Sequence, residues 1–245
     1  MLQKKYLKRV VIKVCKIIVC NQKMFLTYDD AKELSDSLKK YNDENLIVCP
    51  NFINMDLYSD FNVCAQNCHY ENEGAYTGEV SAYHLKLKGV KYVLLGHSER
   101  RDIDTDLIIN KKVMNAVKNN LVPILCVGET LSERSLNKTS EILRKQLNTG
   151  LKNVNKISNI IVAYEPRWLI GGTNVLTISE IKDTYEYISK VLKQIGMQNY
   201  KILYGGSVTD ENIKDIMLDE LDGYLIGSAC TNIDKLDKII KCIKM

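Results

Sequence analysis

Eight short runs rich in Val, Ile and Leu recur along the chain and never alternate apolar with polar. They are KIIVCN ending at Asn21, LIVCP at Pro50, NVCAQN at Asn67, YVLLG at Gly96, VPILCVG at Gly128, NIIVAYEP at Pro166, KILYGG at Gly206 and DGYLIG at Gly227. A strand of that kind is covered on both faces, which is the signature of a parallel sheet. Segments of helical period lie between the runs. In TISEIKDTYEYISKVLKQIG, residues Ile178, Ile181, Tyr185, Ile188, Val191, Leu192 and Ile195 form one stripe, and Thr177 with Glu180 makes a capping box at its start. NIDKLDKIIKCIKM repeats the pattern with Ile233, Leu236, Ile239, Ile240 and Ile243 facing inward, while the stretch after Asn51 is less periodic. Strand alternating with helix eight times in 245 residues is the arithmetic of an α/β (β/α)8 barrel, with a doubly wound open sheet as the alternative. Only three prolines occur and no linker interrupts the pattern, so residues 1–245 read as one domain, with 1–15 as a short basic extension leading into the first strand.

Charge and cysteine usage exclude several classes of function. The net charge of +4 comes from 34 basic and 30 acidic residues spread along the chain, so no nucleic-acid footprint is expected. The eight cysteines lie largely in apolar runs such as LIVCP and PILCVG, where they act as small buried hydrophobes. The spacing of Cys64, Cys68 and His69 matches no familiar zinc pattern, and no structural metal is expected. Lys13 and Lys16 interrupt the apolar N-terminal stretch and no A-x-A-like site follows, which argues against a signal peptide or a membrane anchor. A reducing, cytoplasmic setting fits best, with a misassigned start or a weak organellar address as alternatives.

In a (β/α)8 barrel the chemistry gathers at the C-terminal strand ends. Here those ends carry Asn21 and Lys23, Gln66 and Asn67, His97 and Glu99, Cys126 and Glu129, Glu165, Ser207, and Gly227 with Ser228. A base, an imidazole and an ammonium thus come from three different strands. Taken singly, each also fits an ordinary solvated lysine, structural histidine or loop acid. The apolar setting of Glu165 in AYEPRW is expected to raise its proton affinity toward that of a general base. YGGSV and LIGSA each follow a strand, and each is expected to open a helix whose N–H groups receive a phosphate; either alone also fits a simple turn.

These residues resemble one family closely. NQKM at 21–24, GHSERR at 96–101, AYEPRW at 163–168 and YGGSV at 204–208 are similar to the signature segments of the triosephosphate isomerases. AQNCHYENEGAYTGEVS at 65–81 and PILCVGETLSER at 123–134 extend the resemblance from about Ile17 to the end. It implies a TIM barrel that interconverts dihydroxyacetone phosphate and glyceraldehyde 3-phosphate in glycolysis and gluconeogenesis, without cofactor or metal. By the same resemblance, Glu165 is the base, His97 the neutral electrophile kept so by a helix starting at Ser98, and Lys23 with Asn21 the donors to an enediolate. Gly171, Ser207, Gly227 and Ser228 would meet the phosphate. Glu99 would support the site and pair with Lys23. The segment from Cys68 to Glu79 would insert into a second subunit and bring Thr77 to the partner's site, making a homodimer. Arg167 to Thr173 would be a lid with an apolar tip, held open in part by Trp168 on Glu129.

Some positions depart from the family pattern. Gln22 stands where tryptophan is usual, Phe25 where asparagine is common, and Ser228 replaces a glycine. Leu169 stands where alanine is common, Gly172-Thr173 reverses the familiar order, and Asn174-Val175 replaces the usual hinge. The connection after Arg101 is short. An aldolase-like barrel would need a Schiff-base lysine inside a strand, and Lys23 has no such context. A catalytically impaired barrel kept as a binding or surface-interaction protein would be expected to lack Lys23, His97 or Glu165, and all three are present.

Overall fold

The computed structural model describes residues 16–41, 43–172 and 174–244; the extension over residues 1–15, and Thr173 in the lid, lie outside the described residues. Eight strands form where the apolar runs predict them: β1 (Ile17–Asn21), β2 (Leu46–Cys49), β3 (Asn62–Ala65), β4 (Tyr92–Leu95), β5 (Val122–Val127), β6 (Ile160–Tyr164), β7 (Tyr200–Tyr204) and β8 (Gly223–Ile226). Each pairs in parallel with its neighbours in the sequence, and β8 pairs with β1, so the sheet closes on itself. Closure leaves no sheet edge to manage, and it accounts for runs that are apolar on both faces.

Alternate residues serve two cores. Val19, Ile47, Leu94, Ile124, Ile161, Leu203 and Leu225 fill the barrel interior with Cys49, Cys64 and Cys126. Their neighbours, such as Ile18, Val48 and Val162, point outward into the layer under the helices. The described cysteines are free thiols, all buried except the half-buried Cys242, as expected of small core residues.

The helices are α1 (Tyr28–Leu38), α2 (Ala82–Leu87), α3 (Asp106–Lys118), α4 (Leu131–Ser135), α5 (Thr139–Gly150), α6 (Ile178–Ile195) and α7 (Ile233–Lys244). The Thr177–Glu180 capping box starts α6, and Gly196 in the left-handed region ends it. Ile181, Ile188, Val191 and Leu192 are buried, but Ile178 is 47% exposed. It occupies the first helical residue, and the buried face begins one turn later. Two further expectations need correction. The helices anticipated directly after YGGSV and LIGSA are single 3-10 turns, Ile213–Ile216 and Ser228–Thr231. The helix start at Ser98 is likewise one 3-10 turn, Ser98–Arg100. One turn aligns too few peptides for a macrodipole of full strength, so these sites rest on individual N–H groups. No helix among the described residues is long and apolar enough to cross a membrane.

Candidate active site

The ends of β1, β4 and β6 bring Lys23, His97 and Glu165 to one mouth of the barrel. Glu165 N–H donates to Val127 O at 2.8 Å, which ties the end of β6 to β5. The Glu165 carboxylate is 3% exposed. Its Oε1 lies 3.1 Å from His97 Nε2, and its Oε2 accepts the Ser98 N–H at 3.2 Å. On the far side of the imidazole, Nδ1 accepts the Glu99 N–H at 3.3 Å. An Nδ1 that accepts carries no proton, so in its neutral form this ring is the tautomer with its proton on Nε2. The helix start expected to keep the imidazole neutral is reduced to this one aimed peptide N–H, which the carboxylate at Nε2 opposes.

The charges are arranged differently from the expectation for the base. Burial pushes Glu165 up, but His97, the Ser98 N–H and the Cys126 thiol outweigh it and hold the carboxyl below its usual range. Burial pushes His97 down, while the Glu165 carboxylate pulls it up more strongly, leaving it above its ordinary value. Glu165 is therefore held as a carboxylate, and its proton affinity rises only when it leaves these donors. Burial, with Glu165 next, keeps the Cys126 thiol protonated and able to donate.

Lys23 Nζ bonds Glu99 Oε1 at 2.6 Å, the expected pair. Its backbone is left-handed at φ +51°, a strained state for a residue with a side chain. Two contacts hold it there: Lys23 N–H donates to Asn21 Oδ1 at 3.1 Å, and Gln66 Nε2 donates to Lys23 O at 2.8 Å. Because the Asn21 carbonyl is used in this way, its NH2 end is the one it offers a ligand. Gln22, the departure beside Lys23, is buried and donates to Tyr58 Oη at 2.9 Å.

Asn21, Lys23, His97 and Glu165 line a cavity of about 170 Å³ together with Gly171, Ser207, Gly227 and Ser228. Ser207 is left-handed at φ +51°, and its hydroxyl donates to Leu169 O at 2.5 Å. The hydroxyl thus holds the lid, and the group left for an anion is the Ser207 N–H. Thr77 is exposed and lies apart from this cavity in its own chain.

The segment expected to be a lid is divided: Trp168 and Leu169 are seated on the scaffold, and residues 170–172 line the cavity. Trp168 Nε1 donates to Glu129 Oε1 at 3.1 Å, the expected contact. Glu129 is fully buried and also accepts the Tyr164 hydroxyl, at 3.2 Å to both oxygens. Leu169, which stands where alanine is common, is 2% exposed and packed in the outer core. A leucine reaches apolar neighbours beneath the segment that an alanine side chain is too short to touch. Ile170 and Gly171 stay at the cavity mouth.

Sequence reasoning did not name two side chains, Gln146 and Arg134, and named Cys126 only as a strand end without a role. Gln146 brackets the Gly128 peptide, accepting its N–H at 2.8 Å and donating to its carbonyl at 3.0 Å. Arg134 lies against Trp168, and Cys126 lies beside Glu165. Cys126 was visible as a strand end; the other two sit on helices, where a polar residue ordinarily signals a solvated face.

Comparison with known proteins bears directly on this site. The family model described as Triosephosphate isomerase matches residues 16–243. The chain is 43% identical over 242 residues to a triosephosphate isomerase of Thermodesulfovibrio yellowstonii, covering 92% of this chain and 98% of that one. It is 39% identical over 243 residues to one from Mycoplasma mobile, covering 92% and 99%. It is also 39% identical to one from Clostridium botulinum strain Langeland, covering 91% and 98%. With the barrel closed, its strand-end residues gathered in one cavity and these relatives aligned along nearly its whole length, the chain belongs to the triosephosphate isomerase family.

Proposed function

We propose that Glu165 and His97 carry out the proton transfers by which this isomerase interconverts dihydroxyacetone phosphate and glyceraldehyde 3-phosphate. The observation that carries the reading is the pairing of a buried carboxylate with an imidazole whose Nε2 proton is fixed by a peptide N–H on the opposite nitrogen. With substrate phosphate against the N–H groups of Gly171, Ser207, Gly227 and Ser228, the carbonyl oxygen lies toward Lys23 and His97. Glu165 leaves Ser98, takes a proton from the carbon beside the carbonyl, and the C–H electron pair becomes the C=C bond of an enediolate. His97 donates its Nε2 proton to the developing oxyanion and recovers one from the neighbouring hydroxyl. Glu165 then protonates the other carbon. Electrons and protons return to where they began, so the cycle uses no cofactor. Lys23 and the Asn21 amide supply donors where charge develops, a contribution of about 10²–10³ in rate for each such group.

The test is a coupled isomerase assay on the purified chain, with Glu165→Asp and His97→Gln beside it. The wild type is expected to turn over both trioses and each variant to lose about 10²-fold or more in kcat. A folded wild type without turnover would sink the proposal in favour of an impaired binding barrel, which no contact in the site favours.

A homodimer completes the proposed site. A second cavity, of about 360 Å³, opens beside the first and is lined by Lys23, Met24, Phe52, Gln66 and Glu99. Met24 is 90% exposed. The loop from Cys68 to Glu79 is stiffened where the His69 ring lies between Tyr70 and Tyr76, at 4.2 Å from each. A loop this rigid and this aromatic fits such a cavity on a partner, bringing Thr77 toward Lys23. Sedimentation equilibrium of the wild type against Met24→Glu should show a dimer weakened by the buried charge. The eight strands of one barrel support a single domain over residues 1–245, and free buried thiols support a cytoplasmic setting.

A further inference from the structure

We propose that Arg134 is a positioning residue that links the start of the lid to the helix cap that follows it and holds the lid open. The inference rests on the lid reading above. Arg134 lies on the short helix α4, and its guanidinium makes three contacts at once. Its carbon sits 4.9 Å from the centre of the Trp168 ring. Nη1 is 3.5 Å from Oε1 of the fully buried Glu129, which also accepts the Trp168 indole. Nη2 is 2.5 Å from Oε1 of Glu180.

Glu180 lies in the first turn of α6, the helix that follows the lid. Its Oε2 accepts both the N–H and the hydroxyl of Thr177 at 2.8 Å, the cap from which α6 starts and at which the lid rejoins the scaffold. Thr177, with Arg134 adding to it, holds the Glu180 carboxyl below its ordinary range, so the contact is charged at neutral pH. One planar fork thus spans residues 168 and 180. A lysine ammonium has neither the plane to lie on an indole nor two separated donor edges for two carboxylates.

The contacts to Trp168 and Glu129 belong to the arrangement in which Glu165 is retracted onto Ser98 and Leu169 is packed in the core. When the lid moves over the cavity, the indole leaves the guanidinium face. Arg134 therefore adds stability to the open state through the ring, and its bond to Glu180 keeps the anchor still while the lid moves. Its loss shifts the lid toward the closed state.

Trp168 is the sole tryptophan of the chain, so its fluorescence reports the lid without a label. The experiment titrates 2-phosphoglycolate into wild type, Arg134→Gln, Arg134→Lys and Glu180→Gln, following Trp168 emission at equilibrium and after a temperature jump. In the two Arg134 variants the inhibitor should bind roughly two- to five-fold tighter and leave correspondingly slower, the range set by a cation–π contact at a partly exposed site. Lysine should not rescue. Glu180→Gln keeps a capping side chain and loses the ion pair, so it should shift binding less, in the same direction and non-additively with Arg134→Gln. Should Arg134→Gln fail to fold, Arg134→Lys carries the same expectation. Binding equal to or weaker than wild type in folded Arg134 variants overturns the clamp and leaves the lid reading standing. A wild type that binds the inhibitor with no change in Trp168 emission removes the lid reading, and the clamp with it.

Discussion

Gly128→Ala should disable the proposed base, Glu165, without touching its side chain. A Cβ on Gly128 would lie 1.8 Å from the Glu165 carbonyl oxygen and 2.5 Å from its carbon, where separations under 3.0 Å essentially never occur, so one side must give by at least about 1.2 Å. The β5 side is held, because Gln146 bonds the Gly128 N–H at 2.8 Å and its carbonyl at 3.0 Å. Glu165 and Arg167 also hang from this segment through N–H bonds to Val127 O at 2.8 Å and Glu129 O at 2.9 Å. The displacement therefore falls on the Glu165 backbone. A shift of about 1 Å at a reacting group costs on the order of 10²-fold in rate, while overpacking a core contact costs about 1–3 kcal/mol of stability. KM should change little, because the proposed phosphate contacts come from the lid and from the ends of β7 and β8 rather than from β5. Steady-state kinetics at a temperature well below the unfolding midpoint, with the midpoint measured in parallel, separates the two losses. A folded variant whose kcat stays within about three-fold of wild type would refute the idea that this close approach positions Glu165.

Three further outcomes follow from the same geometry. The depressed Glu165 carboxyl stabilises the fold above its ordinary value, about 4.5, and that share is lost as pH falls through the lower folded value; the unfolding-midpoint gap between wild type and Glu165→Gln should shrink on acidification, and a gap constant from neutral to about pH 3 would contradict the donor set around the carboxylate. Leu169→Ala removes a side chain packed in the core in the open arrangement, so 2-phosphoglycolate should dissociate more slowly; faster release in stopped flow would show that Leu169 favours closure instead. Arg167 bonds the exposed Asp102 at 3.0 Å, a surface pair worth about 0–1 kcal/mol, so Asp102→Asn should alter lid relaxation by a few-fold at most, with the difference gone in high salt.

The order and number of strands were legible in the sequence because burial on both faces is written residue by residue. Seven of the eight apolar runs contain their strand and the eighth misses only Tyr200 at the start of β7, and Thr177 with Glu180 starts α6 as anticipated. The strand-end residues Asn21, Lys23, His97, Glu165, Ser207, Gly227 and Ser228 do line one cavity, since a closed parallel barrel sends all its C-terminal ends to the same mouth. Ile178 misled because a stripe does not say where its buried part begins, and the turns after β7 and β8 misled because glycine punctuation marks a connection without marking its length.

The sequence alone determined the barrel, its resemblance to the isomerases and the chemical types at its mouth, all of which depend on local patterns of burial and on short spacings. Only the tertiary structure decided how those groups are charged and held. Glu165 is a stored carboxylate because His97, Ser98 and Cys126, from two other strands, converge on it. Leu169 is packed in the core, and Arg134 reaches from 134 to 168 and 180. Such contacts form through space between segments with no fixed separation along the chain, so nothing in the period or spacing of any one segment encodes them.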